Sequence, residues 1–221
     1  METLLLTPHP AKPPRRVHAV TARVLSIDAN WCVLRWKVEG ANDLVVPGFA
    51  GQGRQDGLWQ TTCFELFVAH WPHHGSAHGQ RRANSAPNAD PGLSATRLFM
   101  EALDEQGGPA GPEPGAYSEF NFSPSERWAA YDFAAYRTGM AERAMPRAPV
   151  ITPRRGGDVL FCDVAVPRSA LPPLPWRYGL TSVLDEHGVG PSYWAMAHPP
   201  ETPDFHDPAC HGARLAAAQA T

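Results

Sequence analysis

The sequence predicts an all-β protein, a two-sheet antiparallel β-sandwich of jelly-roll type with at most one or two short helices. Three observations carry that prediction. Hydrophobic residues make up 43% of the 221, enough for a core, but they fall in short runs rich in β-branched and aromatic side chains. Turn formers interrupt those runs throughout, with 24 prolines and 19 glycines. No apolar pattern at helical spacing extends beyond about three turns.

Taken in order, residues 1–16 (METLLLTPHPAKPPRR) read as a Pro-rich arm. HAVTARVLSIDANWCVLRWKVEG gives two β-rich runs around Asp28-Ala29-Asn30, the pattern of a hairpin. Trp31 and Trp36 lie on opposite parities of its second run, so at least one belongs to the core. After a Gly-rich stretch, LWQTTCFELFVAHW is apolar on both parities from Cys63 to Val68, as expected of a strand covered on both faces. Residues 72–96 and 105–115 lack aliphatic periodicity and read as loop insertions, with RLFMEALDEQ between them suited to one short helix or strand. AYSEFNF and RWAAYDFAAY then flank the turn SPSE. The alanines of RWAAYDFAAYRTGMAER would also suit a helix. Tyr131 and Phe133 share a parity that excludes Asp132, which favours a strand ending near Tyr136. Beyond a Pro/Arg-rich stretch, DVLFCDVAVP, YGLTSVLDE and YWAMAH complete seven or eight strands. The domain organisation expected is a single sandwich over residues 17–215, with a tail at 216–221.

Composition excludes several classes. Net charge is −3, and the basic residues come in scattered pairs (Arg15-Arg16, Arg81-Arg82, Arg154-Arg155), not in the tracts that bind nucleic acid. No apolar run approaches membrane-spanning length. Only three leucines precede Pro8, and basic residues follow them where a secretion signal would have them first, so a cytoplasmic location is expected. The four cysteines (Cys32, Cys63, Cys162, Cys210) are far apart, and are expected as reduced, buried thiols.

Several positions could carry chemistry. Glu65 is the only ionisable residue in TCFELFV, so a strand covered on both faces leaves its carboxylate in need of a partner or ligand. In YSEFNF, Phe120 and Phe122 share one face, while Tyr117, Glu119 and Asn121 share the other. A ring, a carboxylate and an amide in a row suit sugar hydroxyls. Trp59, Trp128 and Trp194 each begin or interrupt a strand beside polar residues, as exposed stacking platforms do. SYWAMAHPPETPDFHDPACH carries His198, Asp204, His206, Asp207, His211 and Cys210 at spacings that match no established metal pattern. No metal is expected; His206, Asp207 and Cys210 form the alternative ligand set of a metal-dependent enzyme. There is no G-x-S-x-G, P-loop or G-x-G-x-x-G. Glu65 and Glu119 could also serve as the paired acids of glycoside hydrolysis, a role that needs a separation sequence does not give.

DGLWQTTCFELFV, YSEFNFSPSERWAAYDF followed by YRTGM, YGLTSVLDE, and SYWAMAHPPETPDFHDPAC together resemble a bacterial family of DOMON-like domain proteins, related in fold to family 9 carbohydrate-binding modules. The resemblance runs over roughly residues 15–215. It implies a sandwich that binds a small ligand on one concave face, sugars or haem among DOMON relatives. In the sugar binders, tryptophans clamp a sugar while carboxylates and amides take its hydroxyls; Trp59, Glu65, Glu119 and Asn121 are similar in type and strand context. In the haem binders a Met and a His ligate iron. Here Met196 and His198 are too close on one strand for opposite axial sites, leaving His198 or His206 with a distant Met such as Met140. The function expected is non-catalytic binding of a carbohydrate-like small molecule, without a cofactor. Its site residues would be Trp59, Glu65, Glu119, Asn121, Trp128, Trp194 and His198. Haem binding and a metal-dependent enzyme using residues 198–211 are the alternatives.

Overall fold

The structure, a computed structural model, describes residues 1–71 and 115–217. The insertion near 72–96, nearly all of that near 105–115, and the end of the tail lie outside the described residues. The described chain is built of strands, with four 3-10 turns of three or four residues each.

One sheet runs in the order β1 (Leu4–Pro8), β2 (Ala19–Ile27), β3 (Trp31–Glu39), β10 (Val159–Pro167), β9 (Val150–Gly156). The second runs β4 (Gly53–Arg54), β7 (Arg127–Phe133), β6 (Tyr117–Phe122), β5 (Cys63–His70), β11 (Trp176–Glu186), β12 (Gly190–Ala195). Short strands β8 (Ala141–Glu142) and β13 (Ala213–Leu215) pair with β7 and β11. All pairings are antiparallel except the two-residue β4–β7 pair. Strand β1 joins the sheets, pairing with β2 on one side and with β12 at Thr7–Ala195 on the other. The predicted two-sheet antiparallel sandwich is the fold observed.

The core lies between the sheets. Phe64 and Leu66 of β5, Phe120 and Phe122 of β6, and Leu180 and Leu184 of β11 meet Trp36, Leu34 and Val38 of β3, all essentially inaccessible. Trp36 is the hub, 5.5 Å from the Phe64 ring and 6.2 Å from that of Phe122. Trp31, on the other parity, faces outward beneath the Arg147 guanidinium at 4.1 Å. All four cysteines are free and buried.

Three elements differ from the sequence expectation. The Pro-rich arm contains β1, because Leu4 and Leu6 alternate with exposed Leu5 and give the arm one apolar face. The Pro/Arg-rich stretch contains β9, an edge strand, where Pro153 removes a donor the sheet does not need. Strand β7 ends at Phe133, not near Tyr136, because a tight turn from Ala135 to Thr138 follows, with the Thr138 amide donating to the Ala135 carbonyl at 3.0 Å.

Glu186, at the end of β11, anchors the approach to β2. Its carboxylate, 1% exposed, accepts from the backbone amides of Arg15 (2.7 Å), Arg16 (2.6 Å) and Val17 (3.3 Å). Glu186→Ala strands three donors and should cost about 2–4 kcal/mol of unfolding free energy in a urea titration. A loss under about 0.5 kcal/mol would show that water replaces the carboxylate there.

Candidate functional site

The outer face of the second sheet, turned away from the core, carries the site. Hairpin register decides which side chains reach it. Glu65 sits opposite Asn121 on β6 and Thr181 on β11; two pairs further along, on the same face, Phe67 is opposite Glu119, which in turn faces Tyr131 on β7. Tyr117 faces Phe133 at the next position, their rings stacked 4.9 Å apart. A row of rings and acids therefore crosses three strands on one face.

Three segments wall this face. The first is Arg54–Trp59, with Trp59 in the 3-10 turn Leu58–Gln60; the second is Arg137–Glu142. The third is Pro203–His206, held down by the 3-10 turn Pro208–His211. Together they enclose a cleft of about 860 Å³ floored by Glu65, Phe67, Glu119, Tyr131, Phe133, Val183 and Tyr193. Trp59 and Met140 stand exposed in its walls, 51% and 64% accessible. The third wall packs through Phe205 and Cys210 onto a small apolar cluster that includes Phe67, Tyr117 and Val183.

The walls are tied by ion pairs. Asp204 takes the Arg137 guanidinium on both oxygens (2.8 and 3.3 Å), the Tyr136 hydroxyl, and the His206 amide at 3.0 Å. These bonds hold its pKa low despite the opposing effect of burial. Across the cleft, Arg54 binds Asp56 at 2.8 Å and Glu142 at 3.0 Å, and lies over the Tyr131 ring, whose hydroxyl donates to Asp56.

The floor is electrostatically different. Glu65 is 3% exposed, and one oxygen accepts from the Thr181 hydroxyl at 3.2 Å. Burial first, and the Glu119 charge second, push its pKa well above the ordinary carboxylate range. Glu119 is raised too, chiefly by burial, against the hydrogen bond it accepts from the Asn121 amide at 2.7 Å. The pair titrates as a unit and keeps a proton above the pH at which isolated glutamates lose theirs. His206 is held to about 4, by burial first and the Arg137 charge second. Its ring is therefore neutral near pH 7, and its Nε2, 3.7 Å from Glu119, makes no ion pair there. The Tyr117 hydroxyl accepts the Arg137 amide at 3.3 Å and shares a 2.7 Å hydrogen bond with His206 Nδ1, which turns Nε2 towards Glu119.

Of the sequence-predicted residues, Trp59, Glu65 and Glu119 converge on this cleft. Asn121 is 1% exposed and sits behind it, orienting Glu119. The other three lie elsewhere, which corrects the expectation that they line the site. Trp128 pairs opposite Phe122 and so turns to the core side, partly buried. Trp194 is 2% exposed, with its indole N–H donating to Ser192 at 2.9 Å inside the core. His198 bonds the Thr7 carbonyl at 2.8 Å and packs edge-on against His9, fastening β1.

The alternative metal set disperses. His206 faces the cleft, Asp207 caps its own turn through the Ala209 amide (2.7 Å), and the Cys210 thiol lies by the carbonyls of Ala197 and Asp204. Among the described residues no group of three or more His, Cys, Asp or Glu is arranged to hold a metal ion. The haem set divides: His198 lies outside the cleft, bonded to the Thr7 carbonyl, whereas His206 and Met140 both line it.

Sequence reasoning passed over Tyr131, Tyr193, Arg137 and Phe205, and met Asp204 only as a possible metal ligand. Tyr131 was within reach, since the four-residue turn SPSE fixes the register that puts it opposite Glu119. Tyr193 reaches the floor from β12, opposite Val183, and the rest arrive through loops whose closure leaves no local signal.

No family model matches the chain, and no curated protein matches it either. Among solved structures it is similar to a family 9 carbohydrate-binding module from Caldicellulosiruptor kristjanssonii in complex with cellotriose. Identity is 11% and the TM-score 0.42, over 96% of this chain and 80% of that one.

Proposed function

We propose that this protein is a non-catalytic binding module for a small, carbohydrate-like ligand, which it takes into the cleft on the outer face of the second sheet. The observation that carries this reading is convergence: an exposed tryptophan, a tyrosine ring and two buried carboxylates meet in one cavity of about 860 Å³. Trp59 and Tyr131 offer faces to the C–H surface of a sugar ring, and Glu65 and Glu119 offer acceptors for its hydroxyls. The segments that resemble DOMON-like proteins, LWQTTCFELFV, YSEFNF and the stretch before His206, supply the tryptophan, both acids and the third wall. That agreement favours a ligand site over an incidental groove.

Trp59→Ala tests the reading, because a half-exposed ring should cost affinity and not stability. In calorimetric titrations against a panel of neutral mono- and trisaccharides, the variant should bind about tenfold more weakly than the parent, with an unchanged melting temperature. Equal affinity in the two proteins would remove Trp59 from the site.

A further inference from the structure

The charges in the cleft wall do not balance on its floor. Five carboxylates and two guanidiniums line the cavity. Asp56 and Glu142 hold Arg54, and Asp204 holds Arg137. Glu65 and Glu119 are left over. Among the described residues no lysine or arginine reaches ion-pairing distance of either, and their near neighbours are a threonine hydroxyl, an asparagine amide and a neutral imidazole. The second oxygen of Glu65 has no hydrogen-bond partner there at all, in a side chain 3% exposed that lines the cavity. Two acids buried in one cavity with no cation bonded to either, and only the more distant Arg137 charge acting on Glu119, are a costly arrangement. They become a favourable one when an incoming group brings the missing charge and several N–H donors.

We infer that the ligand of this cleft carries a cationic amine, seated on the Glu65–Glu119 pair beside the ring of Tyr131. The inference rests on reading the cleft as a small-ligand site and narrows its chemistry to amino sugars or comparable hydroxylated amines. An ammonium offers three donors to two carboxyl groups and attraction to the flanking ring, whereas a hydroxyl offers one donor and no charge. The proton balance is explicit. When the ammonium binds, the protonation that burial favours on the pair is displaced to solvent, so seating the amine releases protons.

Matched trisaccharides that differ only in the C2 substituent of each ring test this on the full chain: a β-1,4 glucosamine trimer, its N-acetylated form and cellotriose. Spermidine serves as a sugar-free amine. In titrations near pH 5.5, where both amines are charged, the glucosamine trimer should bind about tenfold or more tightly than either neutral trimer. Its measured heat should vary with the buffer's ionisation enthalpy in the sense of proton release. Glu65→Gln should abolish that preference; Glu119→Gln is a second route to the same result if the first variant folds poorly. Equal affinity for all three trimers overturns the amine and leaves the saccharide reading intact. Binding of spermidine alone supports the amine and overturns the saccharide. Silence from all four ligands overturns both.

Discussion

Gly179→Ala should lower unfolding free energy by about 3 kcal/mol, which for a domain of this size lowers the melting temperature by roughly 6–12 °C, and should weaken ligand binding at the same time. A Cβ at position 179 would lie 2.3 Å from the Cys210 carbonyl oxygen, 3.2 Å from its carbon and 3.0 Å from the His211 ring. Both carbonyl contacts are backbone, so no rotamer change relieves them. Nor can the segment slide away freely. Cys210 donates its amide to Asp207 at 2.9 Å, His211 Nε2 bonds the Phe205 carbonyl at 2.8 Å, and β13 re-pairs with β11 immediately afterwards. The His211 ring also stacks on Phe67, 4.9 Å between centroids. Displacing this turn moves Phe205 and His206, the third wall of the cleft. Gly212→Ala is the control: its Cβ would meet only the Met196 methyl, at 3.6 Å, and stability should stay within about 0.5 kcal/mol. Equal effects of the two alanines would contradict this account of how the wall is seated.

Glu65→Gln should stabilise the protein at neutral pH, by about 2 kcal/mol, while removing its preference for the glucosamine trimer. Glutamine approximates the protonated acid. The sign follows from the raised folded-state pKa of Glu65, caused first by burial and then by Glu119. A group so shifted contributes stability that is fully present below its unfolded value, near 4.5, and lost as pH rises through the folded value. The gain from the variant should thus be near zero at pH 4 and grow towards pH 7 and beyond. Other groups near the pair titrate as well. His206 and His211 are both held to about 4, chiefly by burial, so their contribution is present above pH 6.5 and lost as pH falls towards 4. Those terms are common to parent and variant and cancel in the difference. A stability difference independent of pH would mean that Glu65 carries no strained charge.

These two residues also mark how much the sequence could convey. Glu65 was visible as the single ionisable residue in an apolar strand, and the parity of YSEFNF correctly separated Phe120 and Phe122 from Tyr117, Glu119 and Asn121. Both inferences use the two-residue period of a strand, which is local information. Trp128 and Trp194 failed for a reason just as local in form but not in origin. Each lies in a strand, but which parity faces the core depends on its partner, Phe122 for Trp128 and Ser182 for Trp194. The function of Gly179 was invisible, because its close neighbour is 31 residues away in sequence and meets it only after the Pro-rich segment folds over the sheet. The stretch from Ser192 to His211 looked like a source of ligands for a metal. In the fold it divides: His198 holds β1, Asp204 and His206 serve the cleft, and Asp207 caps a turn.

The central claim is that the outer face of the second sheet is the ligand site. Seven tryptophans distribute reporters over the molecule. Their indole N–H signals, followed by nuclear magnetic resonance during titration with the glucosamine trimer and with cellotriose, test the claim most directly. The account predicts that Trp59 shifts progressively and saturably with at least one of them, while the buried Trp36 and Trp194 stay in place. A saturable shift centred on Trp194, Trp128 or Trp31 with Trp59 silent would put the ligand elsewhere and contradict it.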